Sequence, residues 1–284
     1  MFGSFECAEN EQAASMLLSS ARDWLAERGM KAMRGPWSFT SQEWGLVVDG
    51  FTPPPVIMAP YNPPRYNDHL INFGLRKIKD LMVYYVDSRE GYKIPERYLR
   101  LTNRIQDRLK ITVRSVDMRN LERDVSIFVH LTNQSIANNW GFYPVTEAEG
   151  KAVARDIRPI VDPKLLLFAE DAKGEAIGFA MALPDVNTLL KGLDGRLFPF
   201  GWLKLLIGLP RIRQYRMWAL GVIPEYHGKA VDALLYRKLY ELLSHRDVRL
   251  EVNYVLEDNY PMNNAIRNLG AKNLRRYRVY QMDI

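Results

Sequence analysis

Apolar positions along the chain alternate between two spacings. Short continuous runs predict strands, and stripes at three- and four-residue intervals predict helices. Residues 2 to 7 read as a short strand. Asn10 caps a helix over 11 to 28, with Ala14, Leu17, Ala21, Trp24 and Leu25 on one face and Gly29 as its stop. Strands at 31 to 33 and 80 to 86 flank a helix at 66 to 73. Residues 88 to 91 are polar, and Pro95 suits the first turn of a connecting helix that carries Tyr98, Leu101, Ile105 and Leu109. A strand at 110 to 116 and a helix over 121 to 139 follow. Thr146 and Glu149 have capping-box spacing and open a helix to about residue 160. Runs at 165 to 169 and 177 to 183, joined through Lys173-Gly174, read as a hairpin. The chain then offers a strand at 218 to 223, a turn at 224 to 229, and a helix to residue 243 with Val231, Leu234, Leu235, Leu239 and Leu242 inside. A strand at 249 to 256, a helix opened by Asn259 and Pro261, and a strand at 274 to 282 complete the order.

Two stretches break the alternation. Residues 34 to 66 hold prolines at 53, 54, 55, 60, 63 and 64 among Trp37, Phe39, Trp44, Phe51 and Tyr61. Proline excludes regular helix here, and the aromatics either pin a long loop or wall a pocket. Residues 184 to 213 are rich in leucine, with two phenylalanines and a tryptophan, beside Arg196, Lys204, Arg211 and Arg213. This insertion reads first as two short helices packed on the sheet, next as a lid, and last as a membrane-surface element.

There is also an internal echo. Asn62-Pro63-Pro64 leads to Asn72-Phe73-Gly74 and Val83-Tyr84. Asn259-Tyr260-Pro261 leads to Asn268-Leu269-Gly270 and Val279-Tyr280, with the same spacing from Gly to Val-Tyr. The expected organisation is a partial unit at 1–87, a linker helix at 88–108 and a complete unit at 109–284. Either the natural beginning is missing, or a half-domain leans on a whole one.

Composition narrows the function classes. A single cysteine, Cys7, excludes an internal disulfide and a thiolate metal site. The four histidines are scattered, so no metal is expected. The ten N-terminal residues lack the pattern of a signal peptide, and no apolar run is long enough for a membrane span, so a cytoplasmic protein is expected. The net charge of +6 favours anionic partners. The basic residues are dispersed, so nucleic acid is not the expected one.

A strand that enters a helix through a glycine-containing turn leaves amide N–H groups at the helix start, an anion site. Residues 222 to 232, VIPEYHGKAVD, have this form and resemble the acyl-coenzyme A loop of the GCN5-related N-acetyltransferase superfamily. The element order from 109 to 284 is similar to that fold. Asn259, Asn264 and Leu269-Gly270-Ala271 resemble its later helix and turn. The resemblance implies an α/β fold with a mixed, mostly antiparallel central sheet flanked by helices. It implies acetyl-coenzyme A, or another acyl-coenzyme A, as co-substrate and a small-molecule or peptide amine as acceptor, with a homodimer as one state. By the same resemblance, Leu220 and Val222 pair with the pantetheine arm, and His227, Gly228, Lys229, Ala230 and Val231 hold the pyrophosphate, with Asn259 and Asn264 assisting.

Departures from the family pattern are specific. His227 stands where Gln or Arg is usual, Ala230 replaces a glycine with a methyl compatible with helical dihedrals, and Asp232 brings a carboxylate close to the phosphates. Ile266 occupies the place of the family's tyrosine acid, which leaves Tyr254 or Tyr260 to serve. Glu251 is a candidate base, against the plainer reading of a salt-bridged carboxylate. The loop at 6 to 11 carries three acids and no glycine, so the first unit should not bind the coenzyme. The alternative to a transferase is a catalytically silent protein of the same fold.

Overall fold

The computed structural model describes residues 1–37, 44–193 and 196–284. Phe39, and Asp194 and Gly195 of the insertion, lie outside the described residues. The chain forms two compact units that are discontinuous in sequence. The first comprises Met1–Tyr84, Tyr254–Ile266 and Lys272–Ile284. The second comprises Tyr85–Asn253 and Arg267–Ala271.

In the first unit, Asn10 caps α1 (Glu11–Glu27) by accepting from the Ala13 N–H at 3.0 Å. β1 (Ala32–Gly35), β2 (Leu46–Asp49), α2 (Arg65–Asn72) and β3 (Arg76–Asp87) follow. Residues 2 to 7 form no strand. Phe2 donates to the Arg34 carbonyl at 2.8 Å and accepts from the Trp37 N–H at 2.9 Å, while the Cys7 backbone bonds to the Tyr66 hydroxyl at 3.0 Å, so the segment makes no regular ladder. β2 was hidden in the proline-rich stretch, where Leu46-Val47-Val48 is a short apolar run. The C-terminal strand, β9 (Lys272–Asp283), runs antiparallel to both β1 and β2 in this unit, with Met33 opposite Met282 and Leu46 opposite Arg278. Leu18, Leu25, Met33, Leu46, Leu70, Leu75 and Tyr280 make its core.

The sequence echo has a physical counterpart here. Tyr84 donates to Asn263 Oδ1 at 2.7 Å, and Tyr280 donates to Asn67 Oδ1 at 2.8 Å. Asn67 and Asn263 each sit seven residues before the repeat glycine, and each uses its amide nitrogen on a strand carbonyl, Val47 at 2.7 Å and Leu256 at 2.9 Å. Each copy of the repeat therefore satisfies the buried polar group of the other.

The second unit holds α3 (Glu96–Leu109), β4 (Thr112–Ser115), α4 (Leu121–Ser135), α5 (Glu147–Ile157), β5 (Leu166–Glu170), β6 (Ala176–Pro184), α6 (Asn187–Leu190), α7 (Gly201–Gly208), β7 (Gln214–Val222) and α8 (Val231–Leu243). The first residues of β8 (Arg249–Leu256) also belong to it, while α9 (Tyr260–Asn268) lies mostly in the first unit. The strand order is β8-β7-β6-β5-β4. β7 and β8 are parallel and the other pairs antiparallel, so the sheet is mixed and mostly antiparallel, as expected. Thr146 and Glu149 form the anticipated capping box at the start of α5. Glycines allow two close approaches. A Cβ on Gly221 would meet Ser135 Oγ of α4 and the Phe179 ring of β6, and one on Gly150 would meet Val129, so α4 seats tightly on β7 and α5 on α4.

Removing one hydroxyl of the exchanged pair strands a buried amide oxygen. Tyr84→Phe should cost about 1–3 kcal/mol in denaturant unfolding, and Tyr280→Phe should cost a similar amount.

Candidate functional site

β7 changes partners along its length. Its parallel register with β8 runs from Gln214 opposite Arg249 to Met217 opposite Val252 and stops there, although β7 continues to Val222. On its other side, the pairing with β6 shifts between Met181–Ala219 and Ala182–Met217. Trp218 is therefore the extra residue of a β-bulge, placed where the parallel partner is lost. Residues 219 to 222 keep only their β6 neighbour in the register.

The turn after β7 is held from several sides. His227 Nε2 lies 2.8 Å from the Val222 carbonyl, so that nitrogen carries the proton and donates. The Tyr226 hydroxyl donates to Asp171 at 3.2 Å, and the Lys229 ammonium lies 4.4 Å from the centre of the Tyr226 ring. Gly228 has φ +73° and Ala230 has φ +56°. The expectation of helical dihedrals at Ala230 is thus corrected. The residue is left-handed, a conformation that costs a side-chain-bearing residue about 1–2 kcal/mol. The reason is geometric, since Ala230 is the N-cap of α8 and must turn the chain from the loop into the helix. Two left-handed residues flanking Lys229 aim successive amides to one side. Among the described residues, no hydrogen bond takes up the N–H groups of Gly228, Ala230 and Val231, and no side chain caps the helix. α1 is the contrast, because Asn10 already occupies its start.

Asp232 lies in the first turn of α8. Burial raises its carboxyl pKa, against the lowering effect of the amides of Ala233 and Asp232 itself and of His227. Burial likewise pushes the hydroxyls of Tyr98 and Tyr236 upward, with the Asp232 charge adding to both. Asp232 is half-buried and close enough to Tyr98 and Tyr236 for its charge to act on both.

The remaining sequence candidates fall in different places. Leu220, Val222, His227, Gly228, Lys229, Ala230 and Val231 come together on the strand edge and turn. Glu251 belongs to the same unit, on β8 opposite Arg216. It is fully buried, with Arg249 Nε at 3.5 Å. Tyr254, Asn259, Tyr260, Asn264 and Ile266 belong to the first unit. There Tyr254 stacks 6.5 Å from Trp44 and meets Tyr277 edge-on at 5.2 Å. Asn259 accepts from the Met262 N–H at 3.2 Å at the start of α9. Tyr260 and Asn264 are exposed, and Ile266 is buried.

One feature was missed from the sequence. An apolar cleft runs between α4, α5 and the face of β4–β7, with an empty volume of about 620 Å³ including space open to solvent. Val125, Phe128, Ala154, Phe179, Met181 and the bulged Trp218 line it. Phe128 and Phe179 meet edge-on at 4.9 Å. The carboxylate on its wall, Asp124, is tied to Arg114 at 2.7 and 3.1 Å. The helical stripe at 121 to 139 is the only sequence signal for this cleft, and it reads equally as core. Among the described residues, no cluster of three or more His, Cys, Asp or Glu side chains is arranged to hold a metal.

No family model matches the chain. It is 30% identical over 291 residues to Protein YghO of Escherichia coli (strain K12), covering 100% of this chain and 74% of that protein. It is 30% identical over 292 residues to the bacterial ceramide synthase of Caulobacter vibrioides, covering 99% and 74% respectively. Among solved structures, a GCN5-related N-acetyltransferase from Sphaerobacter thermophilus superposes with a TM-score of 0.55 at 13% identity, over 97% of this chain and 69% of that one. A tandem GNAT protein from the clavulanic acid biosynthesis pathway superposes with a TM-score of 0.52 at 13% identity, over 97% and 71%. At these identities the structural likeness speaks of fold.

The half-buried Asp232 gives a test with a defined sign. A raised carboxyl pKa means that the fold disfavours the ionised form. That penalty is full above the folded pKa and absent below the ordinary value of 3.8. Asp232→Asn should therefore raise the Tm at neutral pH, with the gain shrinking as the pH approaches 4.

Proposed function

The chain belongs to the family of Protein YghO and the bacterial ceramide synthase and has the fold of the GCN5-related N-acetyltransferases, and we propose that it is an acyl-coenzyme A-dependent N-acyltransferase. The observation that carries this reading is the bulged strand β7, released from β8 at Trp218 and entering α8 through a turn with three unclaimed amides. That edge suits an extended pantetheine arm by strand addition at Leu220 and Val222. The Gly228, Ala230 and Val231 amides, with the positive end of α8, suit a pyrophosphate. Asp232 fits this reading because its half-buried carboxyl has a raised pKa, which disfavours the charged form beside a phosphate.

When bound, the thioester supplies an activated acyl group, and attack by an amine forms the amide while the thiol departs with a proton. The chain's own groups divide the remaining tasks. A β7 amide at the bulge would donate to the oxyanion. His227, by holding the Val222 carbonyl, fixes the angle at which the strand meets the turn. Proton removal falls to Glu251, oriented by Arg249, and thiol protonation falls to Tyr254 or Tyr260. Asn259 and Asn264 remain proposed coenzyme contacts. In the division proposed from sequence, the acyl-coenzyme A site lies in 109–284 and the 1–87 unit is structural or borders the substrate cleft.

The apolar cleft beside Trp218 supports an apolar chain on one of the two substrates. The relative named as a ceramide synthase makes, by that name, a lipid amide, and we extend a lipid-like substrate to this chain. The test is thiol release from a long-chain acyl-coenzyme A with a long-chain amino alcohol as acceptor. Ala154→Phe narrows the cleft and should lower kcat/KM for the long-chain thioester by about tenfold or more, while changing that for acetyl-coenzyme A much less. Equal losses would contradict the cleft assignment. Coenzyme binding without thiol release, over a panel of amines, would favour a silent protein of this fold.

A further inference from the structure

The insertion between β6 and β7 does not lie against the sheet as its leucine content suggests. α7 packs mainly on α6 and on the single 3-10 turn that follows it. Gly208 lets the two helices close up, because a Cβ there would meet Leu189 at 2.6 Å. The Lys204 ammonium donates to the Lys191 carbonyl at 3.3 Å, and Trp202 Nε1 donates to the Pro199 carbonyl at 2.9 Å. The small hairpin is thus held together by its own contacts. Its larger apolar side chains point outward. Phe198 is 81% exposed and Phe200 75%, and Leu197, Trp202, Leu206 and Ile207 are exposed beside them. A group of large apolar side chains of this kind is unusual on a free surface and marks an interaction site.

The charge around it identifies the partner. Lys191, Arg196, Lys204, Arg211 and Arg213 are all exposed, and the only acidic residue between 187 and 213 is Asp194. An apolar patch ringed by cations fits an anionic bilayer surface, with aromatics at the acyl boundary and ammonium and guanidinium groups among the head groups. A hydrophobic protein partner would not call for that ring. No helix among the described residues is long and apolar enough to cross a membrane, so the contact this segment can make is with the surface. We infer that the α6–α7 hairpin docks the protein on anionic membranes. This holds whether or not the chain transfers acyl groups, since neither the apolar patch nor the basic ring belongs to the coenzyme turn or the cleft.

The experiment is co-sedimentation of the full chain with vesicles of phosphatidylcholine alone and with equimolar phosphatidylcholine and phosphatidylglycerol, at low and raised ionic strength. The expected result is binding to the anionic vesicles that weakens as salt is added. The Phe198→Ser, Phe200→Ser, Leu206→Ser variant should bind at least about tenfold more weakly, with unchanged circular dichroism and thermal unfolding. Lys204→Glu with Arg211→Glu should lose about fivefold or more per site. Equal binding by the wild type and the serine variant would overturn the inference. So would equal binding to neutral and anionic vesicles, or a dimer that the serine variant abolishes in a protein that ignores vesicles.

Discussion

The parallel register between β7 and β8 ends at Met217–Val252. A nine-residue strand that keeps both neighbours throughout has no backbone group left to offer. Here the second neighbour is lost at the midpoint, and the bulge at Trp218 turns the strand at the same place. The released edge, the place of Trp218 on the cleft wall and the turn that begins α8 all follow that one change in pairing. Gly221 belongs to the same device. Without a side chain it lets Ser135 of α4 lie against the strand, which holds the released half of β7 in place from behind.

The turn shows a second constraint, imposed by the backbone. Three amides are left without partners because Ala230 is left-handed and carries no capping side chain. An Asn or Ser at that position would fill the helix start from within, as Asn10 does for α1. The alanine keeps the donors vacant and accepts the strain, the pattern expected where backbone conformation serves binding. Tyr226, held by Asp171 and covered by Lys229, anchors the turn to the β5–β6 hairpin, and His227 anchors it to the end of β7.

Element order was largely legible in the sequence because the helical stripes are strong and their stops carry glycine. Asn10, the Thr146–Glu149 box and the helix from Val231 are direct examples. The repeat was legible as spacing, but not its meaning. That Tyr84 and Tyr280 each satisfy the asparagine of the other copy depends on a strand from the end of the chain lying in the first unit, and no local pattern encodes that. The turn was found by its glycine, while the left-handed Ala230 was misread because alanine ordinarily prefers helical dihedrals. The cleft was legible only as the helical stripe at 121 to 139, which reads equally as core. Its residues are ordinary core residues one by one, and only the approach of α4 and α5 to the sheet, set by Gly150 and Gly221, makes a space of them. The insertion was misjudged for the opposite reason. Leucine-rich segments are buried in most proteins, whereas here short helices packed on each other leave their large side chains outside.

Amide hydrogen exchange with and without coenzyme A puts the β7 edge and its turn to the most direct test. If the turn and released edge hold the coenzyme, exchange should slow at Gly228, Ala230 and Val231 and along residues 218 to 222, while the start of α1 behind Asn10 stays unchanged. Unaltered exchange at those amides under saturating coenzyme A would contradict the assignment.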